Sequence, residues 1–263
     1  MKSLNDYLVR NHIPGIQGID TRALTKLLRN DGCMNGMITT HKYEVSEVID
    51  KIKAFKVQGV VKACTCKEKH TVGTGRMKVA LYDFGAKRNI ANELAKRNCE
   101  VTVFPATTPA SEVLEGNFDG IMLSNGPGDP AEVTDIIAEV KKLSESGMPI
   151  FAICLGHQLM ALAHGFKTEK LKYGHHGANH PVKDLDTNRV YISTQNHNYV
   201  IKDDSIDPAV AKAWFRNVND GTIEGVEYLN KNIKTVQFHP EANAGPRDTE
   251  YLFDEFIKMM EGK

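Results

Sequence analysis

Short apolar segments alternate with amphipathic segments through the middle of the chain, and this alternation restricts the fold more than any other feature of the sequence. Strands are predicted at residues 78–82, 100–104, 119–124 and 149–153. Helices are predicted between and after them, at residues 86–97, 133–143 and 154–163. Because short strand-helix-strand connections place successive strands side by side in one direction, the predicted class is α/β, with a mostly parallel open sheet and helices on both faces.

The rest of the chain divides around this core. Residues 1–63 form a small mixed region with three helical patterns, the second of which begins after Asp20 and ends at Gly32. Residues 64–76 are polar, contain two glycines and lack apolar periodicity, so they predict a linker. Residues 77–263 form the main domain, whose later part is expected to be richer in strands and turns.

Composition and charge narrow the class of protein. The chain has 263 residues, of which 41% are hydrophobic and 25% charged, as in soluble globular proteins. Its 33 basic and 33 acidic residues balance, so no broad basic surface is expected to attract nucleic acid or a membrane. No apolar run approaches the roughly 18 residues of a membrane helix, and no signal-peptide pattern is present. We therefore expect a cytoplasmic protein whose partners are small molecules or other proteins. The odd number of cysteines, five, argues against a disulfide framework.

The strongest local signal is a cysteine at the end of an apolar strand. Cys154 follows the run that starts at Pro149 and precedes Leu-Gly-His-Gln, where a helix begins. A sharp strand-to-helix turn of this kind places a nucleophile at the edge of the sheet, and small neighbours such as Ala152 and Gly156 permit it. The positive end of the helix dipole favours the thiolate. Cys154 is the candidate nucleophile, and the alternative is a buried, unreactive cysteine.

A histidine and a carboxylate lie at another strand end, which begins at Val236. Pro240 keeps His239 out of the helical region, so that His239 and Glu241, two residues apart in an extended segment, point to the same side. Glu241 can then orient one imidazole nitrogen while the other faces a nucleophile, which is the triad arrangement of acyl transfer. Alone, His-Pro-Glu is more often an ordinary loop. Together with Cys154, it predicts a catalytic triad.

A glycine-rich loop follows the strand at 119–124. Its sequence, Ser-Asn-Gly-Pro-Gly-Asp-Pro from Ser124, allows the backbone to approach a ligand closely. Pro127 has no amide hydrogen, so the amides of Gly128 and Leu155 are the candidates for an oxyanion hole. A simple turn rich in glycine and proline is the alternative.

Taken together, these motifs resemble those of a known enzyme family. Cys-Leu-Gly-His-Gln, Ser-Asn-Gly-Pro-Gly-Asp-Pro and His-Pro-Glu resemble the class I (triad-type) glutamine amidotransferases, whose sheet is flavodoxin-like. By that resemblance Cys154 is the nucleophile, His239 the general base and acid, and Glu241 its orienting partner. The resemblance implies that the thiolate attacks the side-chain amide of glutamine, releases ammonia and leaves a glutamyl thioester for water to cleave.

Longer segments resemble one branch of this family, the small subunit of carbamoyl phosphate synthetase. They begin at Ile13 (Ile-Pro-Gly-Ile-Gln-Gly-Ile-Asp), Asp83 (Asp-Phe-Gly-Ala-Lys-Arg-Asn-Ile), Gly174 (Gly-His-His-Gly-Ala-Asn-His-Pro) and Gln195 (Gln-Asn-His). The positions that match the family's glutamine contacts are Gly126, Gly128, Leu155, Gln158, Asn196 and Tyr199, with Asn198 standing where the family carries glycine.

The resemblance also implies a partner. A glutaminase of this kind supplies ammonia to a large synthetase subunit, which uses ATP and bicarbonate to make carbamoyl phosphate for pyrimidine and arginine biosynthesis. No cofactor is expected on this chain, because ATP and metal ions are expected on the large subunit, and because the chain has no Gly-Lys-Ser/Thr phosphate loop. Family members carry a further N-terminal portion, so residues 1–63 resemble the remainder of that domain.

Two other functions are compatible with the same motifs. One is a stand-alone gamma-glutamyl cysteine hydrolase that uses the triad without a synthetase. The other is a catalytically silent regulatory subunit.

Two groups of residues suggest a metal site but fit one poorly. Cys64, Cys66 and His70 lack the second ligand pair that a zinc site of this type requires. His175, His176 and His180 fall in a segment that the resemblance assigns to packing or to the substrate side. No metal is therefore expected on this chain.

Overall fold

The computed structural model describes residues 3–242 and 244–262, which divide into two compact units, Met1–Val57 and Gln58–Lys263. The first unit contains helices α1 (Leu4–Arg10), α2 (Thr21–Asp31) and α3 (Val45–Ala54). The Asp20 carboxylate accepts a 2.9 Å hydrogen bond from the Ala23 amide and so caps the start of α2. Gly32, with a φ of 90°, ends the helix, so both predicted ends of α2 are confirmed.

The second unit carries an α/β fold. Its described helices are α4 (Val60–Cys64), α5 (Arg88–Lys96), α6 (Ala110–Leu114), α7 (Thr134–Ser144), α8 (Leu155–Ala163) and α9 (Tyr251–Glu261). Its described strands are β1 (His70–Val72), β2 (Met77–Asp83), β3 (Cys99–Pro105), β4 (Gly120–Leu123), β5 (Ile150–Ile153), β6 (Thr168–Asp184), β7 (Val190–Ile201), β8 (Ala211–Asn217), β9 (Ile223–Tyr228) and β10 (Ile233–Val236). Short 3-10 turns cover Pro130–Glu132 and Asp203–Ser205.

All ten strands form one sheet with two different halves. The order is β1-β3-β2-β4-β5-β10-β9-β8-β6-β7. The pairs from β3 to β10 are parallel, and the pairs from β10 to β7 are antiparallel, as is the edge pair of β1 with β3. We call the first set (β3, β2, β4, β5, β10) the parallel half and the second set (β9, β8, β6, β7) the antiparallel half. The predicted α/β class is confirmed, and the antiparallel half is the strand-rich later region.

Helices cover both faces of the parallel half. Successive side chains of β2 point to opposite faces of the sheet, and both sets are mostly apolar. Ala80 and Tyr82 belong to a core that includes residues of α6, α7 and α8, whereas Val79 and Leu81 belong to a core with residues of α5 and α9. In α9, Phe253 is fully buried, which contributes roughly 2–3 kcal/mol to folding. The strands of this half are mainly apolar on both sides, so both faces of the sheet must be covered by helices.

The predicted linker at 64–76 is different in the structure. The division lies between Val57 and Gln58. His70–Val72 is a strand that pairs with β3, and the Cys66 amide donates to the Asp83 carboxylate at 2.7 Å. A three-residue strand is too short to show an apolar alternation, so the sequence pattern could not reveal it. Among the described residues, no helix is both long enough and apolar enough to cross a membrane.

Candidate active site

Cys154 lies at the junction of β5 and α8 in a backbone conformation that few side chains adopt. Its φ is 54° and its ψ is −103°, and its side chain is buried. The Cys154 amide donates to the Val236 carbonyl at 2.8 Å, and the Gly156 amide donates to the Ser124 carbonyl at 3.0 Å. These bonds join the turn to its two neighbouring strands. Cys154 therefore stands at the first turn of α8, at the carboxyl edge of the parallel strands.

Parallel pairing of β5 with β10 brings His239 to the same edge. Ile153 is opposite Val236, so the chain that continues from β10 passes beside Cys154. The His239 amide donates to the Thr194 carbonyl at 2.9 Å, which holds this segment against β7. His239 Nδ1 lies 2.7 Å from Glu241 Oε1, and the imidazole also interacts with the Cys154 side chain. Because Glu241 occupies Nδ1, Nε2 is the nitrogen that serves the thiol.

The three side chains form an electrostatic unit. Burial alone would lower the pKa of His239, but electrostatic interactions and hydrogen bonds with Cys154 and Glu241 outweigh burial and raise the pKa to about 9. Burial would raise the pKa of Glu241, but His239 and Lys87 together hold it below its usual value. Near neutral pH, His239 is therefore protonated and Glu241 ionised.

The loop after β4 forms the opposite lip of the site. Gly126 has no room for a side chain, because a Cβ there would lie 2.3 Å from the Phe84 carbonyl oxygen. Gly128 has a φ of 98°, which favours glycine. The Ser124 hydroxyl accepts from the Phe84 amide at 2.9 Å and thereby fixes the start of the loop. The amide of Leu155 is the first of α8 and has no acceptor within the helix, as the oxyanion-hole prediction requires.

These elements enclose a cavity of about 440 Å³. Of the residues predicted for the site, its lining includes Cys154, His239, Gly126, Gly128, Gln158, Asn196, Asn198 and Tyr199. Glu241 lies behind His239 and does not line the cavity. The Leu155 side chain also lies outside the lining and is buried near Gly126. The structure thus brings the predicted residues to one place, with Leu155 offering only its backbone.

Similar sequences are found among known proteins. The family profile "Glutamine amidotransferase class-I" matches residues 80–259, and the profile "Carbamoyl-phosphate synthase small chain, CPSase domain" matches residues 1–38. The carbamoyl phosphate synthase small chain of Clostridium perfringens is 48% identical over 97% of this chain and 72% of its own length. The small chain of Listeria monocytogenes is 46% identical over 99% of this chain and 72% of its own length. The chain belongs to the carbamoyl phosphate synthase small chain family.

One solved structure extends the comparison to the fold. A Thermoplasma acidophilum protein, described as a candidate component of GMP synthase, aligns with a TM-score of 0.62 at 22% identity. The alignment covers 71% of this chain and 94% of that one. The two proteins thus share a fold, and the class-I glutamine amidotransferase profile covers residues 80–259 of this chain.

The cavity lining of this small chain includes several residues that the sequence did not predict for the site. Lys87 and Asn125 line the cavity, and the Asn125 carboxamide oxygen accepts from the Lys87 amide at 2.9 Å. Lys87 Nζ also lies 3.3 Å from Glu241 Oε1. Cys64, an exposed thiol, is a further lining residue. Lys87 and Asn125 follow β2 and β4, so the rule that ligands bind at the carboxyl ends of parallel strands could have identified them.

A hydrogen-bonded wall from β7 faces the thiol. Gln158 Nε2 donates to the Tyr199 carbonyl and to Gln237 Oε1, each at 2.8 Å. The side-chain oxygen of Gln158, Oε1, is left as an acceptor for a ligand. The Tyr199 hydroxyl bonds to Asp129, and burial, followed by this bond, raises the pKa of Tyr199 to about 12. His176 Nδ1 lies 2.9 Å from Asn196 Oδ1, and His176 Nε2 lies 3.2 Å from Asn198 Oδ1. The Asn198 side chain thus has a contact that glycine could not make.

Proposed function

We propose that this chain is the glutaminase subunit of carbamoyl phosphate synthase, which hydrolyses L-glutamine and passes ammonia to a large synthetase subunit. The observation that carries the proposal is that Cys154, on its strained turn, interacts with His239 in the cavity, while the buried Glu241 carboxylate holds the far side of the imidazole. The small chains of several bacteria support the same assignment at 44–48% identity.

In the proposed reaction, the Cys154 thiolate attacks the side-chain carbonyl carbon of glutamine. The negative charge that develops on the oxygen is stabilised by the amides of Gly128 and Leu155. The protonated His239 gives its proton to the leaving nitrogen, so that the C–N bond breaks and ammonia departs. Glu241 keeps the imidazole oriented throughout and stabilises its charged form.

The second half of the proposed reaction restores the enzyme. The acyl group is now a glutamyl thioester on Cys154. His239, neutral after the first step, takes a proton from a water molecule while the oxygen of that water attacks the thioester carbonyl. The C–S bond breaks, glutamate leaves, and the thiolate and imidazolium are regenerated. The balance is one glutamine and one water consumed for one glutamate and one ammonia.

The polar wall accounts for substrate choice in this proposal. Glutamine carries an α-amino and an α-carboxyl group, and the cavity presents a carbonyl oxygen from Gln158 and polar side chains at Asn196 and Asn198. A site built to hydrogen-bond such groups rejects analogues that lack them. No cofactor is required for this chemistry. ATP and its metal ions are assigned to the large subunit.

A glutamine analogue with an electrophile in place of its amide tests the nucleophile. Mass spectrometry of the labelled peptides should find the adduct on Cys154, and Cys154→Ser should abolish both labelling and ammonia release. Cys64→Ser is the matched control, because Cys64 lines the same cavity, and it should be labelled at the wild-type rate. An adduct on Cys64 or Cys66 with Cys154 unmodified would contradict the assignment.

The partner is tested with the same protein. Capture of the large subunit from native extract, followed by a glutaminase assay with and without it, should show coupled ammonia use that Cys154→Ser removes. Synthesis from added ammonia should survive in that variant. Full hydrolysis of gamma-glutamyl peptides without any partner would favour a stand-alone hydrolase, and the absence of an adduct on an intact fold would favour a silent subunit.

A further inference from the structure

A second cluster of polar side chains lies in the antiparallel half, next to the wall of the cavity. His175 on β6 is paired with His197 on β7, and Glu224 extends from β9. One nitrogen or oxygen atom from each of the three lies within 4.8 Å of the corresponding atom of the others. All three are buried, Glu224 completely. The proposed glutaminase chemistry does not use this cluster.

The outer ring nitrogens of both histidines are held by groups that can only accept. His175 Nε2 lies 2.8 Å from the Asp220 carboxylate, and His197 Nδ1 lies 2.9 Å from the Tyr199 carbonyl oxygen. In the neutral ring these nitrogens therefore carry the protons, and His175 Nδ1 and His197 Nε2 offer lone pairs. Metal-binding histidines are held in the same way, with the outer N–H donated to a carboxylate or a backbone carbonyl.

The inner atoms are incompletely satisfied. His175 Nδ1 and Glu224 Oε2 are buried and have no hydrogen-bond partner, although His175 Nδ1 lies 3.2 Å from Glu224 Oε1. His197 Nε2 lies 3.0 Å from Gln195 Oε1, an acceptor that cannot satisfy a lone pair on this nitrogen and that a bound cation would displace. Buried polar atoms without partners are uncommon in native proteins and call for an explanation.

The charge of the cluster also favours a cation. Two carboxylates, Asp220 and Glu224, flank the His175 ring, so with both ionised a single imidazolium leaves one negative charge unbalanced. One divalent ion would balance both carboxylates. The Asp220 side chain is 43% exposed, which gives the cluster an open side towards solvent.

We propose that His175 Nδ1, His197 Nε2 and the Glu224 carboxylate bind one divalent transition-metal ion of the zinc class. Two imidazole nitrogens and one carboxylate form a donor set that zinc accepts with a water molecule as the fourth ligand, whereas Mg²⁺ and Ca²⁺ favour oxygen ligands. Zinc bonds of about 2.0–2.2 Å require the side chains to move together by roughly 1 Å. Because His197 lines the glutamine cavity, the bound ion would fix one side of that cavity.

Cobalt(II) is a suitable probe, because its visible absorption reports coordination geometry and its near-ultraviolet absorption reports thiolate ligands. Titration of the purified full chain should give one Co²⁺ per chain, with visible bands and no thiolate-to-cobalt absorption. The second criterion separates this site from Cys154 with His239 and from Cys64 with Cys66. Zinc should displace the cobalt and should raise the melting temperature of the wild-type protein.

Variants of the cluster decide whether these residues hold the ion. Glu224→Gln and His175→Gln should weaken binding at least tenfold. Asp220→Asn, which keeps an oxygen for the two bonds from Thr222, should weaken it about tenfold by releasing the His175 ring. His180→Gln is the matched control, since that ring lies 5.3 Å from the His175 ring outside the donor set, and it should bind as wild type.

Three results would overturn the proposal. They are a thiolate absorption band, wild-type affinity in both Glu224→Gln and Asp220→Asn, or no bound Co²⁺ or Zn²⁺ at a hundredfold excess over protein. The last result would mean that a proton alone holds His175 between its two carboxylates. None of these readouts depends on glutamine hydrolysis, so failure of the metal site leaves the proposed function untouched, and the reverse also holds.

Discussion

The two halves of the sheet contribute different things to the candidate site. The parallel half supplies Cys154 and His239 from the ends of the adjacent strands β5 and β10. The antiparallel half supplies Asn196, Asn198 and Tyr199 from one long strand, β7. Reactive groups are thus placed by local strand ends, whereas the wall that faces them depends on pairing between distant segments. We expect changes in the parallel half to affect the chemical step and changes in the antiparallel half to affect ligand binding.

The largest expected effect tests that division directly. On the proposed function, His239→Asn should lower kcat for glutamine hydrolysis at least 10³-fold, because both proton transfers depend on the imidazole. Asn196→Ala should instead raise KM about 10- to 100-fold and leave kcat within a few-fold. Steady-state kinetics of ammonia release measure both. If Asn196→Ala lowered kcat as severely as His239→Asn, the two halves would not be separable in this way.

The next effect concerns the turn that carries the nucleophile. A Cβ at position 156 would lie 2.6 Å from the Leu123 carbonyl oxygen, a backbone atom that cannot move aside. Gly156→Ala should therefore push α8 away from β4, lower the free energy of unfolding by about 1–3 kcal/mol and displace Cys154. Urea unfolding and electrophile labelling measure these two consequences.

Gly36→Ala is the control for that change, because no atom lies within 4 Å of a Cβ at position 36. Its free energy of unfolding should stay within about 0.5 kcal/mol of wild type. A Gly156→Ala protein with wild-type stability and labelling would mean that the turn does not need a glycine after its first helical residue.

The same contrast explains what the sequence could predict. Cys154 follows a continuous apolar strand, His239 follows a second strand end, and Pro240 restricts the backbone between His239 and Glu241, so local pattern was enough to suggest them. The elements of the parallel half were predictable for the same reason, since their alternation is visible in short windows. Asn196 and Tyr199 came only from the resemblance, because no local pattern reveals which residues of β7 will face β5.

Residues that were missed share a physical cause. The strand His70–Val72 and the cavity position of Cys64 depend on tertiary contacts with β3 and with the segment around Gly85. The His175, His197 and Glu224 cluster joins residues almost fifty positions apart through three successive strand pairings, β7 with β6, β6 with β8 and β8 with β9, and the first and last of these have irregular register. Isolated histidines in the sequence gave no indication of that meeting, and the histidines that stood out as neighbours, His175 and His176, separate to different partners.

Acid should destabilise both halves through one buried histidine in each. Burial lowers the pKa of His157 on α8 to about 3, and burial, followed by the charge of His175, lowers that of His197 on β7 to about 3. Both rings stay neutral in the folded chain, while the unfolded chain binds protons below about pH 6.5. Stability is therefore complete above that pH and is lost as the pH falls towards 3, by about 2 kcal/mol for each ring at pH 5.

Urea unfolding at pH 7 and pH 5 measures this loss. His157→Gln should lose about 2 kcal/mol less than wild type between the two pH values, even if its stability at pH 7 is lower, because the variant has one fewer ring to protonate on unfolding. An unchanged difference between the two pH values would mean that His157 is not held neutral. Urea unfolding of a variant with His197 replaced, at the same two pH values, tests the buried histidine of the antiparallel half.

The smallest expected effect concerns Lys87, which lines the cavity and forms an ion pair with Glu241 of the triad. Its ammonium is 3.3 Å from the buried Glu241 carboxylate, but its own side chain is 43% exposed, so solvent screens the pair. Lys87→Met should raise the pKa of Glu241 and lower kcat two- to fivefold, or less than about 1 kcal/mol, with a smaller difference from wild type at high salt. Lys62→Met, which removes the exposed ion pair with Asp135, is the control and should leave kcat unchanged. If Lys87→Met raised KM more than tenfold with kcat unaffected, Lys87 would be a ligand for glutamine, and the parallel half would contribute to binding as well as to chemistry.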